Sequence, residues 1–159
     1  EMAETRDGIR VDEHSLHTDG AGAGEYRGGS GAVRVYRSMN ENQTFTASFG
    51  RNKWPVWGAA GGKDGSVNYF QFIDADGTVS EPMGITARRV MNTNDVVRMV
   101  TATGGGYGNP FKRPAEKVAM DVKNEYITVE QAKADYGVLV DPETFKVLGL
   151  TEERQKAEK

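Results

Sequence analysis

Two cations lie inside glycine-rich runs, a combination typical of sites that bind phosphate or another anion. Arg27 precedes Gly28 and Gly29, and Lys63 follows a second pair of glycines. Uncovered backbone N–H groups and a nearby cation can bind an anion together. With a third run, at residues 104–108, the predicted substrate or phosphate site consists of Arg27, Gly28, Gly29, Lys63, Gly105, Gly106 and Tyr107. We expect the three runs to converge, and the alternative is a solvated surface with tight connecting loops.

Neither of the first two glycine runs fits a known nucleotide-binding motif. In the first run, Arg27 stands where the dinucleotide fingerprint needs its third glycine. In the second run, Trp57 replaces the first glycine of a phosphate-binding loop, and Asp64 replaces the Ser or Thr that would bind magnesium. We therefore expect no nucleotide site made by this chain alone.

The weak candidates for a divalent metal site are His14, His17 and Asp19, because imidazole and carboxylate groups ligate such ions. These are the only two histidines, and the chain has no cysteine. The alternative is an exposed polar segment, and the prediction for the chain itself is no metal. The run that starts at Asp74 lacks the glutamate of a calcium loop at its twelfth position, where Ile85 stands, so Asp76-Gly77 predicts a hairpin turn instead.

Apolar periodicity predicts the elements that must position these residues. Strands are predicted at residues 33–37, 44–49, 69–73 and 96–100. No helical pattern separates these runs, which favours an antiparallel sheet.

After Pro110 the pattern becomes helical. One helix is predicted to begin near Pro114, and a second to begin at the capping box of Thr128 and Gln131 and to end at Gly137. A short hairpin over 138–147 and a charged terminal helix or tail follow.

The predicted fold class is therefore α+β: mainly antiparallel β-sheet followed by two short α-helices and a small C-terminal hairpin or tail. We predict a single domain over 1–159. Its parts are an opening segment with a glycine-rich loop (1–31), a β-rich part (32–110) and a helical tail (111–159).

The bulk composition restricts the class of protein and its partners. The 159 residues are 37% hydrophobic and 27% charged, with a net charge of −3, which argues against nucleic acid or an anionic membrane as the main partner. No apolar run approaches membrane-spanning length and no signal-peptide pattern opens the chain, so we predict a cytoplasmic protein. The low apolar fraction and the tryptophans Trp54 and Trp57 predict a partner surface. Because the chain begins at Glu1, we expect a fragment or the C-terminal piece of something longer.

Four blocks occur in order along nearly the whole chain. They are residues 19–31 with Arg34 and Arg37; Trp57-Gly58 with residues 61–63 and Asn68; residues 94–98 with 103–110; and a tail at 118–122, 126–128 and 132–138. Together they resemble the C-terminal region of the hydantoinase B/oxoprolinase family. Asn94 stands where that family usually has glycine, and the family's subunits are several times longer.

The resemblance implies part of a two-component, ATP-dependent enzyme. An A-type component would bind ATP and Mg²⁺ and phosphorylate a carbonyl oxygen, and the B-type component would handle the activated intermediate. In one branch, water opens a hydantoin, 5-oxoproline or a lactam. In the other, bicarbonate carboxylates a ketone such as acetone or acetophenone.

The implied partners are the hydantoinase A-like subunit, the rest of the B-type component and a small cyclic amide or ketone. A divalent metal elsewhere in the complex is implied as well, and no catalytic residue is assigned to this chain. An amide hydrolase is the first choice and a ketone carboxylase is the alternative. A purely structural docking module of such a complex is the further alternative.

Overall fold

A computed structural model describes residues 2–157, and these residues divide into two compact units. Within that range, unit 1 takes the residues up to 17, 31–55 and 67–102, and unit 2 takes 18–30, 56–66 and those from 103 onward. Two compact units of this kind can be parts of one domain or two separate domains. The single domain predicted over 1–159 therefore stays a prediction.

Unit 1 is an antiparallel β structure. Its elements are α1 (Met2–Asp7), β1 (Ile9–His17), β2 (Gly31–Ser38), β3 (Gln43–Ser48), β4 (Tyr69–Ile73), β5 (Ile85–Met91) and β6 (Val96–Val100). One sheet has the strand order β1-β2-β6-β4, and β3 pairs with β5 in a two-stranded ribbon. The four predicted strands are confirmed.

Phenylalanine side chains form the core of unit 1. Phe70 and Phe72 alternate with half-buried residues along β4, so both point to the same face, where they are buried. Phe45 of β3 packs edge-on against both rings, at centroid distances of 5.8 and 5.5 Å, a favourable geometry for aromatic pairs. The alternation of buried and half-buried side chains along β4 thus places its phenylalanine rings on the face that packs against the β3–β5 ribbon.

Strands β1 and β5 were not predicted, because a bulge interrupts the alternation of each. In β1 the register shifts between Val11 and Glu13. Val11 and Leu16 are an odd number of residues apart, yet they pair with Tyr36 and Ala32, which lie on one face of β2. The segment 1–31 is thus not only an opening segment with a loop, since it contains a helix and the first strand. In β5 the shift lies opposite Thr46 of β3.

Two turns of unit 1 follow the sequence signals. Asp76-Gly77 closes the predicted hairpin, in which the Asp74 N–H donates to Thr78 O at 2.9 Å and Gly77 has a φ of +88°. Asn94 has a φ of +73° in the turn before β6. Asparagine is among the non-glycine residues that most readily adopt this left-handed conformation. The position where the family usually has glycine is therefore one that asparagine can occupy.

Unit 2 contains the predicted helical region. Its elements are a 3₁₀ turn (Pro110–Lys112), α2 (Ala115–Lys123), α3 (Val129–Tyr136), β7 (Val138–Val140), β8 (Val147–Leu150) and α4 (Glu152–Ala157). Thr128 and Gln131 form the predicted capping box, and Gly137 ends α3 with a φ of +64°. Strands β7 and β8 are the predicted hairpin, and α4 is the charged terminal helix.

Buried side chains of α2, α3 and β7 form the core of unit 2. Val118, Ala132 and Val138 are completely buried there, together with Tyr136. The α+β class is confirmed. Within the part of the chain that the structure describes, no helix has the length and apolar character needed to cross a membrane.

We predict that Phe70→Ala lowers the free energy of unfolding by about 3–5 kcal/mol, because it leaves a cavity among the aromatic rings of unit 1. Urea denaturation measures the change. Val79→Ala is the control: its side chain is 57% exposed, so the expected loss is within about 0.5 kcal/mol. Equal losses for the two variants would contradict this assignment of the core.

Candidate functional site

The three glycine-rich segments of unit 2 converge and hydrogen-bond to one another through their backbones. The Gly22 N–H donates to Gly104 O at 2.9 Å. The Lys63 N–H donates to Ala23 O at 2.7 Å, and the Gly106 N–H donates to Lys63 O at 2.9 Å. Each segment thus contacts the other two, as predicted. We call them the glycine bundle, defined as residues 20–30, 57–65 and 104–108.

Glycine is required in the bundle because the backbones pass too close for a β-carbon. A Cβ on Gly28 would overlap the carbonyl of Gly104, and one on Gly106 would overlap that of Ala23. By contrast, nothing lies within 4 Å of a Cβ placed on Gly29. The positions where a Cβ would come within 3.0 Å of backbone atoms in the bundle are Gly22, Gly24, Gly28, Gly58, Gly62, Gly65, Gly104, Gly105 and Gly106.

The buried hydroxyl of Thr103 ties the ends of the three segments together. It donates to Gly20 O at 2.8 Å and accepts from the Ser66 N–H at 2.9 Å. In return, the Thr103 N–H donates to the Ser66 hydroxyl, also at 2.9 Å. Because Thr103 is only 1% exposed, its polar atoms need these partners.

The Arg27 guanidinium points into unit 2 and contacts a carboxylate. Its Nε lies 3.5 Å from Asp121 Oδ2, and its Nη1 donates to Gly28 O at 2.9 Å. Its carbon Cζ lies 4.7 Å from the ring centroid of Tyr126, within cation–π range. Arg113 shares the same Asp121 oxygen at 2.8 Å. Two arginines thus surround one nearly buried carboxylate of α2, and the phosphate-binding role of Arg27 stays a prediction.

Lys63 and Tyr107 have different partners from Arg27. Lys63 Nζ lies 2.5 Å from Asp135 Oδ1 of α3. The Tyr107 ring lies 6.2 Å from the ring of Tyr26, between centroids, and Tyr107 is 57% exposed. The backbones of the predicted site residues therefore lie together, whereas the three side chains contact Asp121, Asp135 and Tyr26.

Several amide groups of the bundle donate to acceptors within it. The Gly28 N–H donates to Gly22 O and the Gly104 N–H donates to Gly29 O, at 2.9 and 2.8 Å. The Gly58 N–H donates to the Asp64 carboxylate at 2.8 Å. A phosphate-binding loop instead points its amide donors at the ligand. These three donors thus point at acceptors within the bundle and not at a ligand.

Sequence reasoning did not assign a site role to Asp121, Asp135, Arg113 or Tyr136. Tyr136 is 1% exposed, and its hydroxyl has no hydrogen-bond partner among the described residues. Burial raises the pKa of this phenol above its ordinary value, since the charged form would lose its hydration. The signal for the two aspartates and Tyr136 was their position in the tail block of the family resemblance.

The structure does not bring the two histidines together. His14 pairs with Arg34 and His17 with Gly31, an odd number of residues apart on β2, so the imidazoles point to opposite faces. His17 Nδ1 lies 3.0 Å from Thr101 O. Asp19 belongs to unit 2. Among residues 2–157, no group of three or more His, Asp or Glu side chains is placed to hold a metal ion.

The amino-acid sequence is similar to that of a known protein family and of several of its members. The family model for hydantoinase B/oxoprolinase matches residues 1–110. The beta component of a caprolactamase of Pseudomonas jessenii is 31% identical over 143 residues, covering 84% of this chain and 23% of that protein. A Pseudomonas sp. protein named as the B-type component of a D-/L-hydantoinase is 31% identical over 134 residues, covering 83% and 22%. The chain thus spans about a quarter of the length of these curated relatives.

Two solved structures are similar to this chain over 94% of its length, each with a TM-score of 0.71. An ATP-dependent caprolactamase from Pseudomonas jessenii is 29% identical, and the match covers 26% of that chain. The nucleotide-free structure of an acetone carboxylase is 17% identical, and the match covers 24% of that chain. At 17% identity the likeness shows the fold alone.

We predict that Gly106→Ala lowers the free energy of unfolding by about 2 kcal/mol or more, because the added methyl meets the carbonyl of Ala23. Gly29→Ala is the matched control, since its added methyl has open space, and its expected change is within about 0.5 kcal/mol. Both are measured by urea denaturation. A Gly106→Ala variant as stable as the control would show that the bundle can separate at little cost.

We predict that Asp121→Asn lowers the free energy of unfolding by about 3–5 kcal/mol, because it leaves Arg27 and Arg113 without their carboxylate in a nearly buried position. The control is Asp74→Asn, which removes the exposed pair with Arg89 and should cost at most about 1 kcal/mol. The same denaturation assay compares them. Similar small losses would mean that Asp121 does not hold the two arginines.

Proposed function

Because this chain belongs to the hydantoinase B/oxoprolinase family, we propose that it forms the C-terminal part, or an equivalent small subunit, of an ATP-dependent enzyme that opens cyclic amides. The substrate would be a hydantoin, 5-oxoproline or a lactam. An A-type component would bind ATP, and the remainder of the B-type component would complete the enzyme. The cytoplasmic location predicted from the sequence belongs to the same proposal.

The observation that carries the choice of an amide hydrolase is the likeness to caprolactamase. It extends over most of the chain in sequence, at 31% identity, and over 94% of the chain in structure, at 29% identity. The acetone carboxylase likeness has the same TM-score but only 17% identity. A ketone carboxylase therefore remains the second candidate, supported by the fold and not by the sequence.

The proposal assigns ATP and Mg²⁺ to the partner because residues 2–157 do not fit this cofactor. Amide donors of the bundle such as those of Gly28 and Gly58 are satisfied by its own carbonyl and carboxylate groups. The two cations of the glycine runs already contact Asp121 and Asp135. No group of three or more carboxylate or imidazole side chains in the described residues is placed to hold a metal. We therefore derive no phosphoryl-transfer step in this chain.

What this chain would contribute is a rigid structural element of the enzyme. The catalysis of amide activation needs phosphate positioning and charge stabilisation, which free donors and cations provide. Here the Arg27 and Lys63 pairs would have to open before either cation could reach a substrate. This supports the docking-module interpretation for the chain's own part within the proposed enzyme.

The test is purification of the native assembly with its ATP-binding component, followed by measurement of ADP release. We expect ADP release to rise with a hydantoin, 5-oxoproline or a lactam, without any requirement for bicarbonate. ADP release that depends on acetone or acetophenone together with bicarbonate would instead establish the carboxylase. The isolated chain should not bind ATP in calorimetry, and micromolar binding would contradict the assignment of ATP to the partner.

A further inference from the structure

Three large aromatic side chains of unit 2 are exposed on the glycine bundle. Tyr26, Trp57 and Tyr107 are 63%, 69% and 57% exposed, and each comes from a different segment of the bundle. We call them the aromatic patch. Tyrosine and tryptophan are enriched at protein interfaces and dominate their binding energy. Three of them on one scaffold therefore mark a candidate contact surface.

The backbone fixes the positions of these side chains before any partner binds. The N–H groups of Tyr26 and Tyr107 each donate to the other's carbonyl, at 3.0 and 2.9 Å. Ala59 lies two residues after Trp57, and its N–H donates to Gly106 O at 2.9 Å. Gly105 packs against the carbonyl of Trp57 so closely that a β-carbon would not fit. Little backbone freedom is left to lose, which lowers the entropic cost of binding.

The lengths of the relatives indicate which partner would cover the aromatic patch. In the relatives described above, the matching segment makes up about a quarter of one longer chain. The remaining three quarters are covalently attached there, so they meet this segment at a high effective concentration. A separate ATP-binding component or a second copy has no such advantage. The remainder of the B-type component is therefore the favoured partner for an exposed aromatic surface.

We infer that the aromatic patch is the surface on which unit 2 docks against the remainder of the B-type component. The inference rests on the proposed function only in taking this chain to be part of a B-type component. It adds the surface, the residues and the partner. The contact would be apolar, made by the rings of Tyr26, Trp57 and Tyr107, and the charges of the neighbouring run are already paired, as in Lys63 with Asp135.

Hydroxyl-radical footprinting of the native B-type component that contains this chain tests the inference. The rate of side-chain labelling at each patch residue is compared with its rate in the same protein unfolded in urea. We expect labelling of all three to be at least about tenfold slower in the native component, as for buried residues, although they are exposed in this chain by itself. Protection below that level overturns the inference.

Two further arms of the same experiment distinguish other occupants. Protection that disappears on dilution would assign the patch to a second copy, and protection that appears only after the ATP-binding component is added would assign it to that component. Either result overturns the inference. Enzymatic activity is not measured, so failure to hydrolyse any cyclic amide would weaken the proposed function without affecting this result.

A charge placed in the patch provides an independent measurement. Tyr26→Asp should lower the melting temperature of the native component by about 5 °C or more, because a carboxylate would become buried at the interface. Leu148→Asp is the matched control, since Leu148 is 67% exposed in the same unit and lies outside the patch. Its expected shift is below about 2 °C. A shift for Tyr26→Asp no larger than that of the control overturns the inference.

Discussion

In the glycine bundle, three backbone segments lie closer together than side chains permit. The carbonyls that a methyl group on Gly28 or Gly106 would meet belong to other parts of the bundle. One of them, that of Gly104, also accepts a hydrogen bond from the Gly22 N–H. A segment therefore cannot move without losing contacts and hydrogen bonds at once. Glycine costs backbone entropy on folding, and the density of hydrogen bonds in the bundle offsets that cost.

The helices of unit 2 are attached to this bundle by its cations. Arg27 contacts Asp121 of α2, and Lys63 contacts Asp135 of α3, so each cation of a glycine run reaches a different helix. Asp121 is the stronger constraint because it is nearly buried and also binds Arg113, whereas the Lys63 pair is half-exposed and worth less. Arg27 and Lys63, which suggest an anion-binding site in the sequence, thus pair with carboxylates of the same chain.

Local signals in the sequence predicted the local structure well. The capping box of Thr128 and the left-handed Gly137 are set by residues a few positions apart, and they define α3 as predicted. Strand β1 was missed because its bulge shifts the apolar face by one residue. The pairs of Arg27 with Asp121 and of Lys63 with Asp135 join residues far apart in the chain, and no local pattern encodes such a pairing. The glycine runs predicted that backbones would meet, but not which side chains would accompany them.

A bundle held by backbone-to-backbone contacts depends on few side-chain identities apart from its glycines. Such a scaffold can keep its geometry while the residues around it change. The two solved structures fit this expectation, since a caprolactamase at 29% identity and an acetone carboxylase at 17% reach the same TM-score against this chain. Enzymes whose names describe different chemistry therefore carry a segment of the same fold. A structural element that presents a fixed surface meets that requirement, because its geometry does not depend on which substrate the rest of the enzyme binds.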